Sequence, residues 1–299
     1  MTNEKSDVNS IITDRLCALL EAGTVPWRKP WRVANGQLPT NFKSKKAYRG
    51  INIFMLLCSP FECPYWLSFK QVTELGGNVI KGSKGYPVVF WTRTPKKDKA
   101  TGKPLINGAG KPEMTFLLRY YTVFNLEQTE GIAWEKPVVQ EVTEFQAIES
   151  AQKIVDQMPD APEIRHEGSR ACYIPALDVV KMPKRETFTT VPEYYSTLFH
   201  ELTHATGHSK RLARKGFGTG EASPFGSDTY GKEELVAEMG ASFLCGNAGI
   251  LHNTISNSAS YCANWLKALR SDSKLIVSAA AQAQKASDYI LGVTFDPAE

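Results

Sequence analysis

Residues 199–207 read FHELTHATG. On a helix of 3.6 residues per turn, positions four apart share a face, so His200 and His204 can offer both imidazoles to one metal ion while Glu201 points toward a water beside it. The flanking residues favour that helix. Thr190-Val191-Pro192-Glu193 has the spacing of a capping box, Pro192 suits a first turn, Tyr194, Leu198, Phe199 and Leu202 supply an apolar face, and Gly207 supplies a stop. The bland alternative is two surface histidines bracketing a solvated glutamate. With five histidines in the chain, an HExxH motif arises by chance with a probability on the order of one per cent, before a capped amphipathic helix is also required.

A hydrolytic zinc site takes three protein ligands and keeps a fourth position for water. The metzincin pattern HExxHxxGxxH is followed as far as Gly207, but Lys210 stands where its last histidine is needed, and an ammonium has no lone pair to donate. His208 adjoins the helix end, where its side chain should point away from the pair. The remaining option is a glutamate from a later helix. Residues 233–244, EELVAEMGASFL, read as amphipathic, with Glu234 and Glu238 one turn apart on one face. That is the gluzincin arrangement: Glu234 as third ligand and Glu238 accepting a hydrogen bond from a ligand histidine, with Glu238 as ligand in place of Glu234 the alternative. Zn2+ is the expected ion. Glu201 is then the expected general base, taking a proton from water and returning it to the leaving amine. An oxyanion partner is left open between Tyr230 and the glycine-rich loop 216–231, and the stretch 173–178 is a candidate edge for pairing with an extended peptide.

Around this site, residues 143–158, 232–246, 255–270 and 273–291 carry helical periodicity, while ACYIPALDVVKMP, 171–183, reads as one or two strands. Upstream, residues 10–22 form an amphipathic first helix, and a second helical segment spans Ser68 to Leu75 before two glycines. YPVVFW, 86–91, and MTFLLRYYTVF, 114–124, have the β-branched and aromatic content of strands joined by a Lys/Gly/Pro-rich hairpin loop. The acidic, proline-marked stretch after Leu126 reads as a linker. The expectation is an α+β chain of two domains: 1–128 small, basic and α+β, 129–141 a linker, and 142–299 mostly helical with a small sheet.

Composition bounds the partners. Residues 1–130 hold 19 Lys and Arg against 10 Asp and Glu, whereas the remainder holds 16 against 21. A basic half suits a polyanion, because neutralised phosphates release counterions whatever the base sequence. In residues 26–49, Trp27, Trp31, Phe42 and Tyr48 alternate with Arg28, Lys29, Arg32, Lys43, Lys45, Lys46 and Arg49. Stacking platforms beside cations fit single-stranded nucleic acid; tryptophans in a core with charges on a solvated rim are the competing reading. No run of about 18 apolar residues suggests a membrane span, the N-terminus lacks an export signal, and six scattered cysteines read as reduced thiols. A cytoplasmic location without membrane contact is expected.

Together these residues resemble the ArdC family of antirestriction proteins over nearly the whole chain. PWRKPW, YRGIN, WLSFKQ and LGGNVIKGSKGYPVVFW are similar to that family's single-stranded-DNA-binding domain, and FHELTHATGHSKRL, EELVAE and SASYCANWLKAL to its zincin-like metallopeptidase domain. The resemblance implies a plasmid-borne or mobile-element protein of bacteria that binds single-stranded DNA without sequence preference and helps incoming DNA escape restriction in a recipient cell. It leaves open whether cleavage of a protein or peptide substrate is needed, so a DNA-binding shield with a structural or vestigial metal site remains the alternative. A metal-dependent nuclease fits less well, since phosphoryl transfer favours carboxylate-rich two-metal sites.

Overall fold

The computed structural model describes residues 7–28, 38–98, 101–108, 110–135, 144–215, 228–250 and 259–293. In the first half, α1 (Val8–Glu21) buries Ile12, Leu16 and Leu20, spaced by four along one stripe. β1 (Thr40–Asn41) leads to α2 (Ile51–Leu57), whose sequence INIFMLL is almost continuously apolar and is buried nearly all round. Six apolar residues in seven show no helical period, which is why this element is not legible from pattern. β2 (Tyr65–Ser68) runs into α3 (Phe69–Glu74). There Gln71 N–H donates to Ser68 Oγ and Ser68 N–H donates to Gln71 Oε1, a complete capping box. β3 (Asn78–Val79), β4 (Tyr86–Pro95), β5 (Met114–Asn125) and β6 (Thr129–Glu130) follow. The main sheet has the order β1-β2-β5-β4, with β1 parallel to β2 and the other pairs antiparallel; β3 and β6 form a separate pair.

The second half opens with α4 (Glu144–Asp156), then β7 (Glu163–His166), β8 (Cys172–Ile174) and β9 (Val179–Met182) in the order β7-β9-β8, which leaves β8 at an edge. Helices α5 (Val191–Ala205), α6 (Asp228–Ala248), α7 (Ala259–Ser271) and α8 (Leu275–Ile290) complete it. The expected α+β class and two-part organisation hold. No helix among the described residues is long and apolar enough to cross a membrane.

Two cores meet at α6. On one side Leu235, Val236, Met239 and Phe243 pack with Ile12, Leu16, Trp27 and Phe54 of the first half and with Ile276 and Ala280 of α8. On the other, Ala241, Leu244 and Cys245 pack with Leu198, Phe199 and Leu202 of α5 and Val180 and Met182 of β9. The helix expected to be amphipathic is therefore central: a helix apolar on both sides needs cover on both sides. Phe54 stacks on Phe243 with centroids 5.0 Å apart, so the first half contributes directly to the burial of the helix that carries Glu234. Gly50, at φ +56°, starts α2 and its N–H donates to Gln284 Oε1 of α8 at 2.9 Å. The start of the expected linker 129–141 is structured: Thr129 and Glu130 form β6, and Ile132 and Trp134 pack against Cys63, Leu67, Val72 and Leu126. Residues 136–141 of that stretch lie outside the described residues.

Candidate metal centre

The helix that carries the histidines starts as its sequence directs. Thr190 Oγ1 accepts from Glu193 N–H at 3.3 Å, Pro192 lies in the first turn, and the Glu193 carboxylate accepts from Thr189 N–H at 3.0 Å, one residue before the position a capping box requires. Its apolar face, including Tyr194, Leu198, Phe199 and Leu202, is buried. Alongside that face the helix meets α6 closely. A methyl on Gly240 would lie 2.5 Å from Thr203 Cγ2, so the lack of a side chain there allows the two helices to approach.

That approach brings the donors together. His200 Nε2 is 3.1 Å from His204 Nε2, 3.5 Å from Glu234 Oε2, and His204 Nε2 is 3.4 Å from Glu234 Oε1. Donors bound at about 2.0–2.1 Å to one tetrahedral ion lie about 3.4 Å apart. The three side chains therefore have the separations of one coordination sphere with a fourth position to spare, and two imidazoles with a carboxylate are a donor set suited to zinc or a similar divalent ion. Of the two glutamates that the sequence offers as third ligand, Glu234 lies at both histidines. Glu238 is partly buried one turn further along α6.

The carboxylate at the outer nitrogen of His204 belongs to Glu233, whose sequence context does not distinguish it from a solvated acid. Glu233 Oε1 lies 3.3 Å from His204 Nδ1, and Arg214 holds Glu233 from behind through Nε at 3.2 Å and Nη2 at 2.5 Å. Arg214 also donates to the carbonyls of Thr203, at 2.8 Å, and His204, at 3.3 Å, and to the Thr206 hydroxyl, closing the end of α5. Adjacent residues on a helix point about 100° apart, so the Glu233–Glu234 pair places one carboxylate on the shared donor position and one on the far side of the ring. A hydrogen-bonded Nδ1 fixes which nitrogen is offered to an ion. Burial disfavours a charged His204, but Glu233 and Glu234 outweigh it and raise its pKa to about 10. Burial raises Glu233 and Glu234 as well, yet His204 with Arg214, and the two histidines, draw each below the usual carboxylate range. The concentrated negative charge that favours an imidazolium favours a divalent cation in the same place.

Glu201 is buried, and its Oε2 accepts from Tyr173 N–H at 2.7 Å. The general-base candidate is thus fixed against the edge strand β8, within the stretch expected to meet an extended peptide. Arg211 anchors that strand: its fully buried guanidinium pairs with Asp178 and donates to the Ala205 carbonyl at 2.7 Å and the Tyr173 hydroxyl at 3.1 Å. Burial pushes the Asp178 carboxyl up, but Arg211 and the Tyr173 hydroxyl outweigh it and hold it at about 2. The loop 216–227 and the side chain of Tyr230, the oxyanion candidates, lie outside the described residues.

The expected DNA-binding residues fare differently. Trp27 is 0% exposed and packs edge-on against Trp265 at 5.9 Å, and Tyr48 is buried with its hydroxyl near Asn41. Neither offers a face to a base, because each ring fills a core. Arg49 is paired with Asp288 of α8, and Lys43 with Glu74 at 2.5 Å. Lys45 lies over the Phe42 ring at 3.8 Å, and Lys46 is exposed. The side chain of Arg28, and Lys29, Trp31 and Arg32, lie outside the described residues.

Comparison with known proteins accounts for both halves. Residues 6–124 match the N-terminal domain of anti-restriction factor ArdC, and residues 149–282 match a zincin-like metallopeptidase family. Over 97% of its length the chain is 36% identical to a DNA primase TraC of Escherichia coli, of which it spans 28%. Over 95% it is 34% identical to the uncharacterized protein y4eC of Sinorhizobium fredii, of which it spans 92%. Crystal structures of the antirestriction ArdC protein from plasmid R388, metal-free and Mn(II)-bound, superpose with a TM-score of 0.73 at 35% identity; the metal-free one covers 95% of this chain and 96% of its own. With both domains matched in order and nearly the full length of a solved relative covered, this chain belongs to the ArdC antirestriction family.

Proposed function

We propose that the protein is a single-stranded-DNA-binding antirestriction factor with a metal-dependent peptidase site, in which His200, His204 and Glu234 hold a divalent ion, Zn2+ or a similar one. The observation that carries this is the fit of three donors from two helices to one coordination sphere, with a buried glutamate beside them. A divalent ion held there supplies Lewis acidity, polarising a scissile carbonyl and making water a better nucleophile. Glu201, fixed through one oxygen by Tyr173 N–H, accepts a proton with the other and returns it to the leaving amine. Glu233 and Arg214 hold His204 in the tautomer that leaves Nε2 for the ion. The exposed edge of β8 is where an extended protein segment would add as a further strand. The basic first half supplies the affinity for DNA, and joining it to the peptidase raises the effective concentration of the site near DNA-bound proteins. The setting is the bacterial cytoplasm, including that of a cell receiving plasmid DNA by conjugation.

The rival is a DNA-binding shield in which the ion is structural or vestigial. Plasmid transfer into a restricting recipient separates them. With Glu201→Ala, which keeps all three ion ligands, we expect protection to fall to that of a plasmid lacking the gene; full protection with retained metal would establish the shield and overturn the catalytic reading.

A further inference from the structure

β4 and β5 pair in register from Tyr86 opposite Val123 to Pro95 opposite Met114, but β2 reaches only residues 123–125 of β5. Beyond Tyr120, therefore, two strands project from the sheet as a ribbon. Side chains alternate across a strand and partners in register share a face. Trp91 and Arg93 of β4 thus stand on the same side as Phe116, Leu118 and Tyr120 of β5. Trp91 is opposite Leu118, so on this face it stands between the positions of Phe116 and Tyr120, which are about 13 Å apart along β5, while Leu118 and Val89, opposite Tyr120, turn inward onto the core. These three rings are 56%, 58% and 47% exposed. The Arg93 guanidinium lies 5.4 Å from the Phe116 ring centroid. The other face carries Phe90 and Tyr121, edge to face at 5.6 Å, with Arg119 beside them.

Soluble chains rarely leave so many large rings in water without a use for them. The charge around them narrows the use. From Tyr86 to Phe124 the sequence holds seven Lys and Arg against two acids, Asp98 and Glu113. Of those, Glu113 is paired with Lys96 at 3.2 Å and Asp98 accepts from Thr101. A protein partner would meet a strongly basic rim, whereas a single strand offers phosphates to the cations and an unstacked base face to each ring. Duplex bases are already stacked on one another and cannot use these rings.

We infer that the Phe116–Trp91–Tyr120 face of the β4–β5 ribbon is where single-stranded DNA stacks, with Arg93 against its backbone. This rests on the DNA-binding reading above and moves its aromatic platforms from Trp27 and Tyr48, which are core, to the ribbon. Every base has a π face, so stacking on rings accepts any base, which accounts for recognition without sequence preference.

The test is the affinity of an oligothymidylate of about twenty nucleotides, by fluorescence anisotropy at fixed salt, for wild type and for Trp91→Ala/Phe116→Ala. Both changes are at exposed positions, and unchanged metal content and thermal melting verify the fold. We expect affinity to drop about ten-fold or more with an unchanged salt slope, since no cation is removed, and Trp91→Phe to abolish most quenching of tryptophan emission on binding. Wild-type affinity in the double variant overturns the ribbon assignment and leaves the DNA-binding reading standing. So does loss of self-association in sedimentation with DNA affinity intact, which would make the ribbon an interface between copies. Failure of the wild type itself to bind the oligonucleotide sinks the DNA-binding reading and the ribbon with it.

Discussion

The junction of α5 and α6 and the ribbon of β4 and β5 solve opposite problems. At the helix junction charged groups are drawn into a crowded interior, and each has a named holder: Arg214 on Glu233, Glu233 and Glu234 on His204, Tyr173 N–H on Glu201. On the ribbon large apolar rings are pushed outward into water, held in register by little more than the ladder between two strands. The contrast teaches what each surface is built to meet. A small ion requires donors fixed to within a few tenths of an ångström, so the site needs a packed surround. A flexible polymer with many equivalent binding registers needs only exposed platforms and charge.

The sharpest break between the regions is His200→Ala. It should lower metal affinity by more than about a hundred-fold, since a ligand costs more than the support behind it, while oligonucleotide affinity stays within a few-fold; metal content by mass spectrometry after dialysis reads the first. Unchanged stoichiometry would show that the ion, if bound, sits elsewhere. Next comes Glu233→Gln. It retains a hydrogen-bonding oxygen for His204 but removes the charge, and a loss of about 10–100-fold in metal affinity is expected, with Arg214 left facing a neutral amide. Equal affinity for Zn2+ in a competition titration would reduce Glu233 to a structural role.

Gly240→Ala tests the packing alone. Its methyl meets Thr203 at 2.5 Å, and overpacking should cost about 1–3 kcal/mol, seen as a lower melting temperature. Gly240→Ala/Thr203→Ala, with the obstructing methyl removed, should recover part of the loss; no recovery would place the strain elsewhere. The smallest effect concerns acid. Asp178 is held at about 2 in the folded protein, below the unfolded value of about 3.9. Its contribution, at most about 2.6 kcal/mol and less where solvent screens the pair, is thus largely present above pH 4 and lost as pH falls toward 2. Asp178→Asn should be less stable at neutral pH, and its denaturation midpoint should vary less than that of wild type between pH 4 and 2. Parallel pH profiles for the two proteins would contradict the pairing.

The sequence by itself determined the elements that announce their own periodicity and caps. The helix around HExxH, the long strands β4 and β5, the capped α3 and the terminal helices are written in local patterns that need no partner to be read. It also singled out His200, His204 and Glu234, because a four-residue repeat fixes one helix face and elimination left a glutamate on a later helix. Only the tertiary structure showed that Glu233 lies at the outer nitrogen of His204. Glu233 resembles any solvated acid until Arg214, a residue beyond the helix end, is folded back beside it. The same holds for the aromatic residues. Trp27 and Trp91 look alike in a basic context, but one fills the space between α1, α6 and α7 while the ring of the other stands largely exposed on the ribbon. Burial is a property of what lies opposite in space, and a local pattern carries no information about that.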